Sequence, residues 1–146
     1  MELVNMLEAL DLLTISKKPV WGKMKAQEMV EHLSDLLIIS RGVKKFTVNE
    51  NEETIARRQQ FLYSDKEMAR NIAVPFTKNI IELRHNELAL SIDEFTIEWL
   101  NFIEYYEENA GITETHPYYG ELDFEKWMKL HVKHFTHHFK QFELIG

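Results

Sequence analysis

The sequence predicts an all-α protein built as a four-helix bundle, with a long and partly irregular connection between its second and third long helices. Four segments repeat apolar residues at the 3-4 spacing that places them on one face of a helix. Strand-like alternation is weak throughout the chain. Because 146 residues are enough for one apolar core, we expect a single domain over residues 1–146.

The first two predicted helices cover about residues 2–15 and 26–40. Lys17-Lys18-Pro19 ends the first, and Gly42 suits the C-terminal cap of the second. His32 lies at the border of the apolar face of the second helix, where its ring can reach into a bundle while one edge stays wet. The apolar residues that share a face of the first helix are Leu3, Met6, Leu7, Leu10 and Leu13.

Residues 43–90 form the long connection and give the weakest signals. A helix is expected at about residues 52–62, whereas residues 46–48 are too few to predict a strand. Residues 73–76 must leave helical geometry before their proline. We therefore expect a mostly irregular crossover with one or two short helices, and connections of this length are often functional.

The third long helix is predicted from its first turn. Ser91 and Glu94 have the spacing of a capping box, in which each side chain bonds a free backbone amide of the first turn. Residues 109–111 supply the stop signal, and residues 113–120 are expected to form a loop.

The last helix is predicted to begin after the N-cap residue Asp123 and to continue to about Phe142. It contains four of the seven histidines of the chain, and His137 lies on its flank. The other three share the apolar face of the helix: His131, His134 and His138. Because residues i and i+4 are neighbours on a helix, the last two of these can reach one ion together.

The composition limits what kind of site the chain can build. It has no cysteine, so any metal must be bound by imidazole and carboxylate groups, and a protein thiol nucleophile is excluded. The net charge of −7 disfavours nucleic-acid binding, and lysine groups such as Lys17-Lys18 are expected to be solvated. No apolar run approaches 18 residues and the N-terminus lacks signal-peptide features, so we expect no membrane contact and a cytoplasmic location.

Two predicted helices together offer three metal ligands. His32 comes from the second helix, and His134 and His138 come from the last. Three histidines with the remaining positions open to water are the arrangement of catalytic zinc. The alternative is a set of core histidines without a metal, each hydrogen-bonded to a neighbour. A shared cation is favoured because it satisfies several buried imidazoles at once.

Four motifs follow one another along nearly the whole chain. They are Trp21-Gly-Lys-Met24, Gln27-Glu-Met-Val-Glu-His32-Leu33, His116-Pro-Tyr-Tyr-Gly120 and Trp127-x-x-Leu130-x-x-x-His134-x-x-His137-His138-x-x-Gln141-Phe142. This combination resembles the DinB/YfiT superfamily, most closely its small bacterial branch of unknown function. The resemblance implies a four-helix bundle of DinB/YfiT type and a divalent ion, zinc or nickel, with His32, His134 and His138 as its ligands.

Other polar residues near the predicted centre are not ligands in the superfamily pattern. His131 lies one turn from His134 and is a candidate for orienting a ligand or binding water. His137 is expected to form a hydrogen bond at the helix flank. His116 lies in a loop that could close over the site, although a packing role is equally open.

The resemblance also implies a reaction, the metal-dependent transfer of a low-molecular-weight thiol to an electrophile or the hydrolysis or isomerisation of thiol adducts. A metal with open positions lowers the pKa of a thiol, and the lack of cysteine agrees with a thiol cosubstrate. A hydrolase using water at the same site is also open. Glu28 and Asp35 flank His32 and are the candidates for orienting it or acting as a base.

The rival hypothesis is a non-catalytic metal-binding or interaction module, in which the ion only joins helices two and four. For the enzyme, the expected partner is a small-molecule substrate. Many members of the superfamily dimerise through bundle faces, so the resemblance also implies a homodimer.

Overall fold

Five helices and one two-stranded antiparallel sheet form the regular structure in the computed structural model, which describes residues 1–70 and 82–146. The prediction of a mostly helical chain is confirmed, but the chain is not all-α. None of the described helices is both long and apolar enough to cross a membrane. In chain order the elements are α1 (Leu3–Asp11), α2 (Ala26–Ser40), α3 (Glu52–Tyr63), α4 (Leu88–Glu108), β1 (Glu114–His116), β2 (Gly120–Leu122) and α5 (Phe124–Gln141).

The core lies where α2 packs against α4 and α5. α1 packs on α4, and α3 packs on α5, where Lys133 lies over the ring of Phe61. Phe95 of α4 meets Phe135 of α5 edge to face, with ring centroids 5.3 Å apart. The largest fully buried side chains are Trp127, Phe95, Phe102, Phe135, Phe139 and Phe142. Three of these six belong to α5 and a fourth, Phe142, directly follows it, so the histidine-bearing helix is also a main contributor to the core.

The bounds of α2 and α3 agree with the sequence prediction. Gly42 follows the end of α2 with a φ of 73°, as expected of a glycine in a helix C-cap. α1 is shorter than predicted and ends at Asp11 rather than near residue 15. Thr14 and Ile15 are β-branched and favour other conformations, and the Thr14 carbonyl instead closes a turn with the Lys17 amide at 3.1 Å.

The capping-box prediction at the start of α4 is wrong. The helix begins at Leu88, and Ser91 lies inside it. The Ser91 hydroxyl donates to Glu31 of α2 at 2.9 Å, and Glu94 accepts two hydrogen bonds from Arg84. Both side chains are therefore used by tertiary contacts, which sequence spacing alone does not show.

The loop predicted over residues 113–120 contains a short hairpin. β1 pairs with β2 in the register Glu114 with Leu122 and His116 with Gly120. Each strand has three residues, too few to give a period-two pattern in the sequence. In the connection from 43 to 90, α3 is regular and residues 64–70 and 82–87 lie outside any helix or strand. The predicted break at 73–76 lies outside the described residues.

A buried carboxylate ties the chain before α4 to α2. Glu31 is 1% exposed and accepts hydrogen bonds from the backbone amides of Arg84 at 2.6 Å and His85 at 3.4 Å. The side chains of Ser91 and Gln27 also donate to it, at 2.9 and 3.2 Å. Gln27 further donates to the His85 carbonyl at 2.7 Å. Four donors from three parts of the chain thus meet at one carboxylate, which offsets its desolvation.

We expect Glu31→Gln to lower the free energy of unfolding by about 1–3 kcal/mol at pH 7, because an amide cannot accept from all four donors. Burial alone raises the pKa of Glu31, but the hydrogen bonds from Arg84, Gln27, Ser91 and His85 together hold it below its ordinary value of 4.5. The stabilisation is therefore complete above pH 4.5 and is lost as the pH falls through the lower folded-state pKa.

Urea unfolding followed by circular dichroism at pH 7 and at successively lower pH measures this difference. Glu104→Gln, an exposed site within α4, is the matched control and should change stability little at any pH. A gap between wild type and Glu31→Gln that stays constant into strong acid would contradict the role assigned to the carboxylate.

Candidate metal centre

Two helices carry the three histidines that the sequence predicts as ligands. His32 lies in the middle of α2 and is half-buried, whereas His134 and His138 lie one turn apart on α5 and are each 6% exposed. α5 begins as predicted, because the Asp123 side chain accepts a hydrogen bond from the Lys126 amide at 3.0 Å. From that start, the helical phase brings both histidines to the side of α5 that faces α2.

The three side chains converge through their Nε2 atoms. His134 Nε2 lies 2.9 Å from His32 Nε2 and 3.1 Å from His138 Nε2. The rings meet edge to face, with centroids 4.7 Å apart for His32 and His134 and 5.0 Å apart for His32 and His138. One ligand nitrogen from each residue lies within 4.8 Å of the other two. The structure therefore brings together the three histidines that the sequence placed on separate helices.

Gln141 determines which nitrogen of His138 carries the proton. The amide nitrogen of Gln141 donates to the Trp21 carbonyl at 3.0 Å, so its Oε1 is the atom that faces His138 Nδ1 at 2.7 Å. An amide oxygen can only accept, so the hydrogen of that bond belongs to Nδ1. In a neutral His138, Nε2 then carries no proton, and its lone pair points toward the other two imidazoles.

Burial keeps the cluster neutral. Desolvation lowers the pKa of His32 to about 4 and the pKa of His138 to about 3. The pKa of His134 is held well below its usual value by burial and by repulsion from His138 and His32. A neutral imidazole has one nitrogen free to bind a cation, so all three residues are in the ligand form at neutral pH.

The proton count favours a cation at the centre. His134 Nε2 can donate a hydrogen to the lone pair of His138, but it then has no lone pair for a hydrogen of His32. His134 Nδ1 is also buried without a hydrogen-bond partner among the described residues. One cation accepts three lone pairs at once, and three imidazoles are an established donor set for zinc. The group could hold one metal ion, and its residues fit one.

The two candidate carboxylates on α2 have other partners. Glu28 accepts a hydrogen bond from the backbone amide of Lys25 at 2.7 Å and so caps the start of the helix. Asp35 accepts from the Arg84 guanidinium at 2.6 Å. Burial raises the pKa of Asp35, and the charge of Arg84 opposes that rise. Both residues therefore stabilise the fold around His32, and a catalytic role for either stays a prediction.

His131 lies in the aromatic core behind the three ligands. Its ring is fully buried and lies nearly parallel to Trp127 and Phe135, with centroids 5.8 Å away in each case. The ring of Phe102 meets it edge to face at 4.7 Å. Burial lowers its pKa to about 3, and neither nitrogen has a hydrogen-bond partner among the described residues. Among the described residues His131 therefore makes no hydrogen bond that would orient a ligand, and a role in binding water stays a prediction.

His137 and His116, the other two histidines named from the sequence, have different surroundings. The ring of His137 is half-buried beside the centre, 4.9 Å from the ring of His138 and 5.4 Å from that of Trp21. His116 lies in β1, where its Nδ1 accepts hydrogen bonds from the amides of Tyr118 and Tyr119 at 2.9 and 3.2 Å. These bonds hold the hairpin turn, so His116 has a structural role in this region.

The sequence motif contains Gln141 but does not show that this side chain orients His138. A signal was present, because Gln141 follows His138 by three residues and so lies next to it on the helix surface. Its second partner, the carbonyl of Trp21, comes from the loop before α2 and has no sequence signal of its own.

The fold and the site define a mostly helical protein with a three-histidine group that could hold a metal ion. The chain belongs to the family described as "Protein of unknown function (DUF1569)", whose model matches residues 60–144. The matched region contains His134, His138 and Gln141 but not His32. No curated protein and no solved structure matches the chain.

Replacing Gln141 tests how the ligand is oriented. We expect Gln141→Leu to weaken binding of Zn²⁺ about 10–100-fold, because His138 loses the acceptor that fixes its proton on Nδ1. Competition titration with a chromophoric chelator measures the affinity. Gln60→Leu makes the same change at an exposed position of α3 and should leave affinity unchanged. Equal affinities in the two variants would contradict this role of Gln141.

Replacing His131 separates core packing from ligand support. We expect His131→Phe to leave Zn²⁺ affinity unchanged and to raise the free energy of unfolding by about 1 kcal/mol, because two buried unpaired nitrogens are removed from an aromatic site. Chelator competition and urea unfolding give the two values. If Zn²⁺ affinity fell as in Gln141→Leu, His131 would have to support a ligand.

Proposed function

We propose that this protein is a divalent-metal enzyme and that its reaction is the transfer of a small thiol to an electrophile. The observation that carries the proposal is the convergence of three neutral imidazoles on one point, with the lone pair of His138 fixed by Gln141. Such a site fits one ion and leaves further coordination positions open. The ion supplies Lewis acidity, which lowers the pKa of a thiol or of water at neutral pH.

The arrangement of helices supports a four-helix bundle of DinB/YfiT type. In this proposal α1, α2, α4 and α5 form the bundle, and residues 41–87 form the crossover that contains α3. The ligands come from the second helix of the chain and from the last, in agreement with the pattern that the superfamily resemblance implies. The preferred ions are zinc and nickel, both of which accept imidazole ligands.

The protein residues bind and orient in this mechanism. His32, His134 and His138 would hold the ion, and Gln141 keeps His138 in the ligand tautomer. His32 is the least buried of the three, so substrates would approach from its side. In the reaction the thiol sulfur forms a bond to carbon of the electrophile, the leaving group departs with the bonding pair, and the thiol proton passes to solvent or to the leaving group.

Thiol transfer is preferred over hydrolysis because of the carboxylates on α2. Hydrolysis uses a positioned base to activate water, and Glu28 and Asp35 are bound to the Lys25 amide and to Arg84. A thiol has a lower pKa than water, so it needs less help from a base once the ion has lowered its pKa further. Hydrolysis stays the alternative reaction at the same centre.

The second candidate is a non-catalytic module in which the ion joins α2 to α5. The observation that favours it is the deep burial of two ligands, since His134 and His138 are each 6% exposed. A purely structural ion is closed by a fourth protein ligand, whereas a catalytic ion keeps an exchangeable position. Self-association as a homodimer and a cytoplasmic location remain predictions from the sequence.

The first experiment is elemental analysis of protein purified without an affinity tag, together with His32→Ala and His138→Ala. We expect about one divalent ion per chain in the wild type and loss of the ion from both variants, because two imidazoles hold it far less tightly than three. Wild-type protein free of metal, with Zn²⁺ and Ni²⁺ affinities no better than those of the variants, would rule out the centre.

The second experiment screens thiol conjugation to a chromogenic electrophile. Turnover should require the ion, stop on addition of chelator, return with Zn²⁺ or Ni²⁺, and be lost in His134→Ala while circular dichroism shows the fold intact. Metal-loaded protein that accelerates neither thiol transfer nor ester hydrolysis would favour the module in which the ion joins two helices.

A further inference from the structure

The loop between α1 and α2 has an unusual charge. Residues 12–27 contain four lysines and no aspartate or glutamate, although the chain as a whole has 24 acidic residues and a net charge of −7. From the sequence, lysines such as Lys17-Lys18 are expected to be solvated, and Lys18, Lys23 and Lys25 are exposed in the structure. They also line one feature of the surface.

This feature is a pocket of about 400 Å³, which we call the lysine pocket. Its walls include the apolar side chains of Ile15 and Met24, and its cationic lining residues are Lys17, Lys18, Lys23 and Lys25. Lys17 pairs with Glu143 at 3.3 Å. Within residues 1–70 and 82–146, the other three ammonium groups form no ion pair.

The lysine pocket is joined to the metal centre by Trp21. The carbonyl of Trp21 accepts the hydrogen bond from Gln141, and Gln141 in turn holds His138. The next residues along the chain, Gly22 and Lys23, already line the pocket. A molecule seated among the lysines therefore lies next to the loop that positions the centre.

A further cation, Arg70, lies against the side chain of Trp21. The guanidinium of Arg70 stacks 3.8 Å above the indole ring of Trp21, which fixes its plane. Within residues 1–70 and 82–146 its guanidinium forms no hydrogen bond or ion pair, so no acceptor in that part of the chain competes for its N–H groups.

We propose that the lysine pocket binds an anionic group, carboxylate or phosphate, of a small molecule. Like charges held close together repel one another even at an exposed site, and a bound anion reduces that repulsion. A volume of about 400 Å³ suits a small molecule, and the acidic remainder of the surface disfavours a nucleic-acid backbone. This inference goes beyond the proposed function, because anion binding at the lysines does not require the metal.

The experiment uses full-length protein labelled with ¹⁵N, both as purified and with a chelator present. Inorganic phosphate and succinate are titrated in separate arms at low ionic strength, and amide shifts of residues 17–25 are followed. We expect at least one anion to give saturable shifts that weaken in 0.5 M NaCl, because salt screens exposed charges. Saturation by phosphate alone or by succinate alone identifies the anionic group.

Paired variants make the test specific. Lys18→Gln with Lys23→Gln should weaken binding about tenfold, since two charge-assisted contacts are lost. Lys44→Gln with Lys126→Gln removes the same charge near the opposite ends of α2 and α5 and should leave binding unchanged. Arg70→Gln should weaken anion binding if the anion also contacts Arg70. If the anion affinity of this variant equals that of the wild type, the anion contacts the lysines alone.

Shifts that never saturate for either anion, or an equal loss of binding in both double variants, would overturn the inference. The chelator arm separates this result from the proposed function. Anion binding that persists in chelator, together with metal analysis that finds no ion in the protein as purified, would retain the anion site and reject the metal enzyme. Metal-dependent turnover without saturable anion binding would retain the metal enzyme and reject the anion site.

Discussion

The constraint on which this structure depends is that three imidazoles, two buried and one half-buried, must share their hydrogen-bonding capacity. Each neutral ring has one donor and one acceptor, and the Nε2 atoms of His32 and His138 both lie within about one hydrogen-bond length of His134 Nε2. Since Gln141 takes the only proton of His138, protons cannot be assigned so that every nitrogen finds a partner. A cation resolves this conflict, so the packing of α2 against α5 is coupled to metal chemistry.

The rest of the molecule holds the two ligand helices in place. α5 contributes much of the aromatic core, so the same packing that stabilises the fold fixes His134 and His138. α2 is held at its first turn by Glu28 and along its length by Glu31, which collects donors from the chain before α4. The loop with Trp21 completes the support, because its carbonyl orients Gln141. The centre is therefore supported by contacts that are themselves buried or hydrogen-bonded.

The parts that could be predicted from the sequence are those that depend on local periodicity. Helical phase alone places His134 and His138 on one face, and Asp123 has the side chain and position of an N-cap. Contacts between distant residues could not be predicted in the same way. Ser91 and Glu94 have the spacing of a capping box but serve Glu31 and Arg84, and His131 shares the ligand face yet lies among aromatic rings. The hairpin strands are too short for any pattern, and the role of Gln141 depends on a carbonyl 120 residues away.

Consecutive residues of α2 serve different parts of the molecule. Glu31 accepts a hydrogen bond from the backbone amide of Arg84 in the chain before α4, and the adjacent His32 contacts His134 on α5. Successive side chains on a helix point about 100° apart, so these two attachments fix the rotation of α2 about its own axis. Inserting or deleting one residue upstream of Glu31 within this helix would turn both attachments away together. Two independent contacts therefore fix the rotation of α2 about its axis. Natural variation in α2 should proceed by substitution rather than by changes in length.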